Sequence, residues 1–384
     1  MNYRKYLTED ILAFWIKNAT DQACGGIMTQ VDQNGHIYCE DKNVWFLGRS
    51  MWTYAVAYNT LEKRQEYFDM CETLYRFFDK CELPNGKLPH IVTRDGTAKK
   101  INEKLFHSEM HAVMGLAQYY RICKREEVWE KANKYFDVVA RWYKDNRSRK
   151  ETAEGTIKCF GPNLLLLSMA QFIRNVGRDT EKYDELAGLA IDEMMHGGFV
   201  SDENETVFEN VSENGKMISG DNGTVSYPGH VYEAAWFAMC EGEVKNDDEL
   251  RNFGRKLCDY AMPKDFPQRH KLIPIARDVR KVSLSEADKS YVWWPQCEAI
   301  ITYRLAYNIF GDKKYSEFAD YLEKNAFNAF ADFRCGEWYS EVSQDGLVID
   351  SNKGSLIKGP FHLPRMLLAL ISLEETGNIQ KYMK

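Results

Sequence analysis

Long apolar runs are missing from this 384-residue chain. None approaches the about 20 residues that a membrane-spanning helix needs, so a membrane protein of helical type is not expected. Basic runs are missing as well. The 50 Lys and Arg are interspersed with 57 Asp and Glu, and the net charge of −7 argues against a nucleic-acid partner. The ten cysteines form no C-x-x-C pair and no Cys/His cluster, which leaves no zinc module. The glycine-rich G-x-G-x-x-G and P-loop patterns are absent, and so is the G-x-S-x-G elbow. Dinucleotide, nucleoside-triphosphate and serine-hydrolase chemistry therefore lose support. The opening Met-Asn-Tyr-Arg-Lys-Tyr-Leu-Thr-Glu-Asp is polar and charged, unlike a signal peptide. Without an export signal the cysteines are expected as free thiols in a reducing cytoplasm. No Pro/Ser-rich linker or charge block divides the chain, so one domain is expected over residues 1–384.

What the chain has is helical periodicity. Apolar residues recur at three- and four-residue spacing, as in Tyr67, Met70, Leu74, Phe77 and Phe78. This spacing predicts about twelve helices, near 6–18, 44–60, 64–81, 105–124, 126–145, 161–177, 179–196, 230–243, 246–262, 289–310, 313–332 and 361–376. Short alternating stretches separate some of them. One turns at Asn34-Gly35, a step that favours a type I′ turn, and another of the same plan turns at Asp345-Gly346. Asn214-Gly215 follows Gly197-Gly198 in mid-chain. A helix, a glycine step and a hairpin thus recur. The expected architecture is all-α: six helical hairpins closed into a ring, with β-hairpins at one mouth. A linear helical solenoid fits the same periodicity.

Aromatic residues make up 13%, including nine Trp and 22 Tyr. Most pack between helices, and a few are candidates for stacking on a sugar ring. Four places gather reactive side chains near glycines and aromatics. In Tyr-Pro-Gly-His-Val-Tyr-Glu, His230 falls on a first helical turn with Glu233 three residues on, the pairing of a general base with a carboxylate. His362 and Arg365 stand in Phe-His-Leu-Pro-Arg, again where a Gly-Pro loop meets an apolar segment. Two such histidines make a two-base proton-transfer site. Arg49 sits on an apolar helix between Trp45 and Trp52, and a buried cation needs a partner or a developing anion. Glu298 opens an apolar helix in Trp-Trp-Pro-Gln-Cys-Glu, where it can bind a hydroxyl or orient a histidine. Trp45, Trp294 and Gln296 complete the candidate substrate contacts. His107 and His111 have metal-ligand spacing with Glu109 between them, but the H-E-x-x-H arrangement is lacking, so no metal site is expected.

In order along the chain come Asp-Gln-Ala-Cys-Gly-Gly, Val-Trp-Phe-Leu-Gly-Arg, Val-Thr-Arg-Asp-Gly, Glu-Asn-Val-Ser-Glu-Asn-Gly-Lys, Pro-Gly-His-x-x-Glu-Ala, Trp-Trp-Pro-x-x-Glu-Ala, Gly-Glu-Trp and Phe-His-x-Pro-Arg. By these eight runs the chain resembles the N-acylglucosamine 2-epimerase family, with cellobiose 2-epimerases and aldose–ketose isomerases as more distant relatives. The resemblance spans about Phe14 to about Leu370. It implies an (α/α)6 barrel and a pocket of Arg49, His230, Glu298, His362 and Arg365, with Glu233 beside them. It implies interconversion of N-acetylglucosamine and N-acetylmannosamine by proton exchange at C2 of the open-chain sugar. His230 and His362 would be the acid/base pair, and Arg49 would neutralise the intermediate. No cofactor is required on this reading, although ATP is an activator of such enzymes that is not consumed. A homodimer is the expected assembly. Two residues depart from the family pattern: Tyr227 replaces an Asn, and Gln296 replaces a His, as in cellobiose epimerases. The rival readings are a cellobiose or mannose epimerase or an aldose–ketose isomerase, and a non-catalytic carbohydrate-binding member of the fold.

Overall fold

Where the sequence alternates apolar and polar residues with a period near 3.6, the chain is helical throughout. The structure is a computed structural model that describes residues 1–102, 106–146, 148–152, 155–220, 223–262, 271–279, 290–343 and 345–379. The first helix, α1, runs through Tyr3–Lys5, a π-helical stretch Tyr6–Ile11, and Leu12–Ala19. Then follow α2 (Val44–Thr60), α3 (Gln65–Cys81), α4 (His107–Cys123), α5 (Glu126–Asn146), α6 (Gly161–Arg174) and α7 (Thr180–His196). The last five are α8 (Pro228–Lys245), α9 (Asp248–Ala261), α10 (Trp293–Phe310), α11 (Lys313–Phe330) and α12 (His362–Thr376).

Even-numbered helices are buried on nearly all sides, whereas odd-numbered ones bury one stripe. That difference sorts them into two layers. The even helices pack side by side in the order α2, α4, α6, α8, α10, α12, and α12 returns to α2. Each odd helix packs outside its even neighbour, with α1 against α12. The result is the closed (α/α)6 ring, not the solenoid. Among the described residues no helix is long and apolar enough to cross a membrane.

The loops from even to odd helices are short. Those from odd to even helices are long, and they carry the antiparallel strands. All strands therefore cluster at the mouth where the six even helices begin. Two of them enter through a strand directly: Lys42–Asn43 pairs with Ile91–Val92 before α2, and Ser290–Val292 pairs with Glu341–Ser343 before α10. That pairing corrects the expected start of α10 near 289, a residue outside the described set, as is 105, the expected start of α4. The helix expected to reach 177 ends at Arg174, because Gly177 turns the chain at a positive φ of 85°.

The type I′ turn expected at Asn34-Gly35 is not formed. Only Gly35 has positive φ, and the Asp32 carboxylate accepts the N–H groups of Asn34 and His36. Asp32 N–H bonds to His36 and Gly35 N–H to Asp32. This is a wider turn with the glycine alone in the left-handed region. Identical backbone bonding recurs at Gly86, Gly96, Gly215 and Gly346.

Two glycines let inner helices touch through their backbones. A Cβ on Gly48 would lie 2.3 Å from the carbonyl of His111, and one on Gly115 would lie 2.5 Å from the Gly48 oxygen. Close packing of α2 on α4 sets the distance between Arg49 and the histidines of α4.

Candidate active site

A cavity of about 1060 Å³ opens at the mouth formed by the even helices. Its wall includes Trp45 and Arg49 of α2, His107 of α4, Gly161 of α6, His230 and Glu233 of α8, Trp293 and Trp294 of α10, and His362 of α12. Every even helix thus contributes a residue from its N-terminal part. Helix N-termini carry partial positive charge, so a negative charge developing in this cavity is favoured.

His362 is the most constrained group. Its Nδ1 lies 2.7 Å from Glu298 Oε1, and its Nε2 lies 3.4 Å from an Arg49 Nη. Arginine only donates, so Nε2 accepts and Nδ1 donates to the carboxylate. Burial, with Arg49 and Arg365 next, pushes the His362 pKa well below its usual value. A neutral imidazole whose Nε2 lone pair faces Arg49 in the cavity wall is a base. Glu298 cannot turn to a substrate: Oε1 also takes Arg365 at 2.8 Å, and Oε2 takes the Trp236 indole N–H at 3.0 Å.

His230 is set the opposite way. Its Nδ1 lies 3.0 Å from Glu209 Oε2. Burial works against its charge, but the charge of Glu209 and its hydrogen bond prevail and raise the pKa. One histidine is thus biased to hold a proton and the other to stay neutral. The Trp294 ring neighbours both, with centroid distances of 5.5 Å to His230 and 5.6 Å to His362.

Arg49 is buried with its guanidinium over Trp45 at 4.9 Å and Phe361 at 4.6 Å. Desolvation lowers its pKa to about 10, which leaves it charged at neutral pH. Among the described residues it has no carboxylate partner of its own, and its neighbours are rings and His362. A cation held this way is available to an anion arising on a ligand.

Several expected placements are corrected. The carboxylate beside His230 is Glu209, not Glu233; Glu233 reaches the cavity wall but pairs with Arg365. Arg365 does not line the cavity. It is buried and bridges Glu233 and Glu298, the carboxylate bonded to His362. Gln296 is also absent from the wall, because its amide is spent on both backbone groups of Ile273 and on the Val292 carbonyl. Trp45 and Trp294 stand where expected. Glu209 lies in the Glu-Asn-Val-Ser run, between strand Thr206–Val207 and strand Asn210–Ser212. It was missed as a partner because the contact spans 21 residues and no local period reports it.

Glu233, Glu298 and His362 bring donor atoms within 4.8 Å of one another, a spacing that would suit a metal ion. The Arg365 guanidinium pairs with both carboxylates and lies 3.4 Å from His362 Nδ1. Its charge takes the role a metal would have there. Glu109, between His107 and His111, turns away to accept the Leu88 N–H at 2.7 Å.

The family described as N-acylglucosamine 2-epimerase (GlcNAc 2-epimerase) matches residues 25–358. This chain belongs to the N-acylglucosamine 2-epimerase family. It is 26% identical over 372 residues to the N-acylglucosamine 2-epimerase of Rattus norvegicus, covering 94% of this chain and 88% of the relative. It is 24% identical over 398 residues to a cellobiose 2-epimerase of Ruminococcus albus, covering 96% and 97%. A solved sugar epimerase from a ruminal bacterium superposes with a TM-score of 0.81 at 22% identity, over 97% of this chain and 98% of that one. The family's barrel is the fold described above.

Proposed function

We propose that this protein is a sugar 2-epimerase that interconverts N-acetylglucosamine and N-acetylmannosamine. The observation that carries the reading is the pair of oppositely biased histidines facing one cavity, His362 neutral and His230 favouring the proton. Inversion at C2 needs a proton removed on one side and returned on the other. In one direction His362 takes the C2 proton of the open-chain aldehyde and His230 supplies the new one; in the reverse direction the roles exchange. The enolate formed between the two steps places negative charge on O1. Arg49 and the helix N-termini stabilise it. Glu298, Glu209, Glu233 and Arg365 are positioning residues. Trp45 and Trp294 offer faces to the sugar.

This chemistry moves only protons and charge, so it calls for no cofactor; ATP enters the proposal as an activator that is not consumed. The reaction suits either breakdown of sialic acid or supply of N-acetylmannosamine, in the cytoplasm. The N-acylglucosamine 2-epimerases among the relatives favour the N-acyl sugar. One observation favours a second reading, cellobiose or mannose as substrate. At about 1060 Å³ the cavity sits at the upper end of the about 300–1,000 Å³ of ordinary ligand pockets, a size that suits more than one ring.

Proton NMR in D2O tests the proposal, with N-acetylmannosamine, cellobiose and mannose in separate tubes, each with and without ATP. N-acetylglucosamine signals with deuterium at C2 are expected in the first. Conversion of cellobiose or mannose alone would transfer the activity to the second reading. Absence of deuterium in every tube would overturn both.

A further inference from the structure

Epimerisation as proposed above cannot begin at C2, because the sugar is a closed ring until its anomeric hydroxyl loses a proton. His230 and His362 are committed to C2. A third histidine lines the same cavity, and nothing in the C2 chemistry uses it.

His107 is the first residue of α4 and is half-buried in the cavity wall. Its ring lies over Trp45, with centroids 5.4 Å apart and planes tilted by 32°. No hydrogen bond to its ring is found among the described residues. Burial, then the charge of Arg49, holds its pKa at about 4. At neutral pH it therefore presents a free lone pair and one N–H. The corner behind it is unusually polar and unpaired. Trp45 Nε1, Arg49 Nε and both ring nitrogens of His111 are buried without partners among the described residues. His111 is only 1% exposed. Buried polar atoms left unmatched by protein groups call for a polar partner, a water or a ligand group.

Resting on the epimerase reading, we propose that His107 is the ring-opening catalytic residue, the base that takes the proton of the anomeric hydroxyl. The O1–H bond breaks and its proton goes to the free nitrogen of His107. The electron pair left on O1 forms the C1=O bond. The C1–O5 bond breaks, its pair stays on O5, and O5 takes a proton from water. His107 then returns its proton to the hydroxide so formed. The aldehyde is released beside Arg49, where the enolate charge will develop.

The test uses the full-length protein and two variants, His107→Phe, which keeps the ring against Trp45, and His107→Gln, which keeps polarity. Circular dichroism and melting temperature confirm that each is folded. Two rates are read with N-acetylmannosamine: exchange between α and β anomers by NMR, and turnover of C2-protonated against C2-deuterated sugar. The wild type should accelerate anomer exchange, and both variants should lose that by ten-fold or more. Their kcat should fall similarly with little change in KM. The C2 isotope effect should collapse toward 1, because ring opening becomes limiting. Anomer exchange intact in both variants, or slower turnover with an unchanged isotope effect, would overturn the role of His107 while the epimerase reading stands. A wild type that puts no deuterium at C2 of N-acetylmannosamine, cellobiose or mannose would overturn that reading, and the role of His107 with it.

Discussion

At the level of single residues, the site works by setting two identical side chains to different protonation states. The device is the choice of neighbour: a carboxylate alone beside His230, and a carboxylate with two guanidinium groups around His362. His362→Asn should remove the base in one direction and the acid in the other. Turnover should fall by about 10²–10⁴-fold both ways in a folded protein, measured by NMR conversion from either sugar. The pH dependence has a sign. His362 must be neutral to act as base, and its depressed pKa meets that condition throughout the range around neutrality. His230 must be protonated to act as acid, and its pKa is raised above 6.5, so the rate in that direction is lost as pH climbs through the raised value. Glu209→Gln removes the charge that raises it. The alkaline limb of kcat/KM should then move to lower pH, and a limb that stays where the wild type has it would show that Glu209 does not set the acid.

At the level of elements, the repeated unit is a helix end, a glycine step and a hairpin, and the two ends of the chain show its chemistry most clearly. Asp21 accepts the N–H groups of Ala23 and Cys24 and pairs with Lys42 at 2.8 Å. Asp332 accepts those of Arg334 and Cys335 and pairs with Lys353 at 3.0 Å. Each ion pair spans 21 residues, so the same staple fastens the loops before α2 and before α12. The Asp332 and Lys353 side chains are almost fully buried. Asp332→Ala should therefore cost about 3–5 kcal/mol, because it leaves a buried ammonium without its partner. Adding Lys353→Met should recover much of that loss. Urea unfolding of the two variants checks this, and equal losses would show that the pair is not coupled. The hairpin repeat was legible because Asn-Gly and Asp-Gly steps are local signals. The turn type was not, because it depends on where the Asp32 carboxylate points.

At the level of the whole molecule, twelve helices could be read from the sequence because apolar residues recur at three- and four-residue spacing in segment after segment. Ring closure could not, since periodicity does not report which helix lies beside which. The same limit applies to the site. Arg49, His230, Glu298 and His362 stand out locally, as reactive groups in apolar or glycine-rich surroundings. Glu209 and the inward burial of Gln296 depend on contacts between distant segments. Gly48 is where closure and chemistry meet. It lies one residue before Arg49, on the face of α2 that touches the α4 backbone at His111. Gly48→Ala places a methyl group where no side chain can give way, since the atoms in its path belong to the backbone. The helices must separate, at a cost of about 1–3 kcal/mol for overpacking. Separation also moves Arg49 relative to His107, and misplacement by about 1 Å can cost about 10²-fold in rate. Gly188→Ala is the matched control. It lies within α7 on the outer layer, and its added Cβ meets nothing within 4 Å. There alanine should stabilise the helix by up to about 1 kcal/mol and leave kcat unchanged. Melting temperature and kcat measured side by side decide the matter: if Gly48→Ala behaves like Gly188→Ala, the close contact of α2 with α4 does not hold the site together.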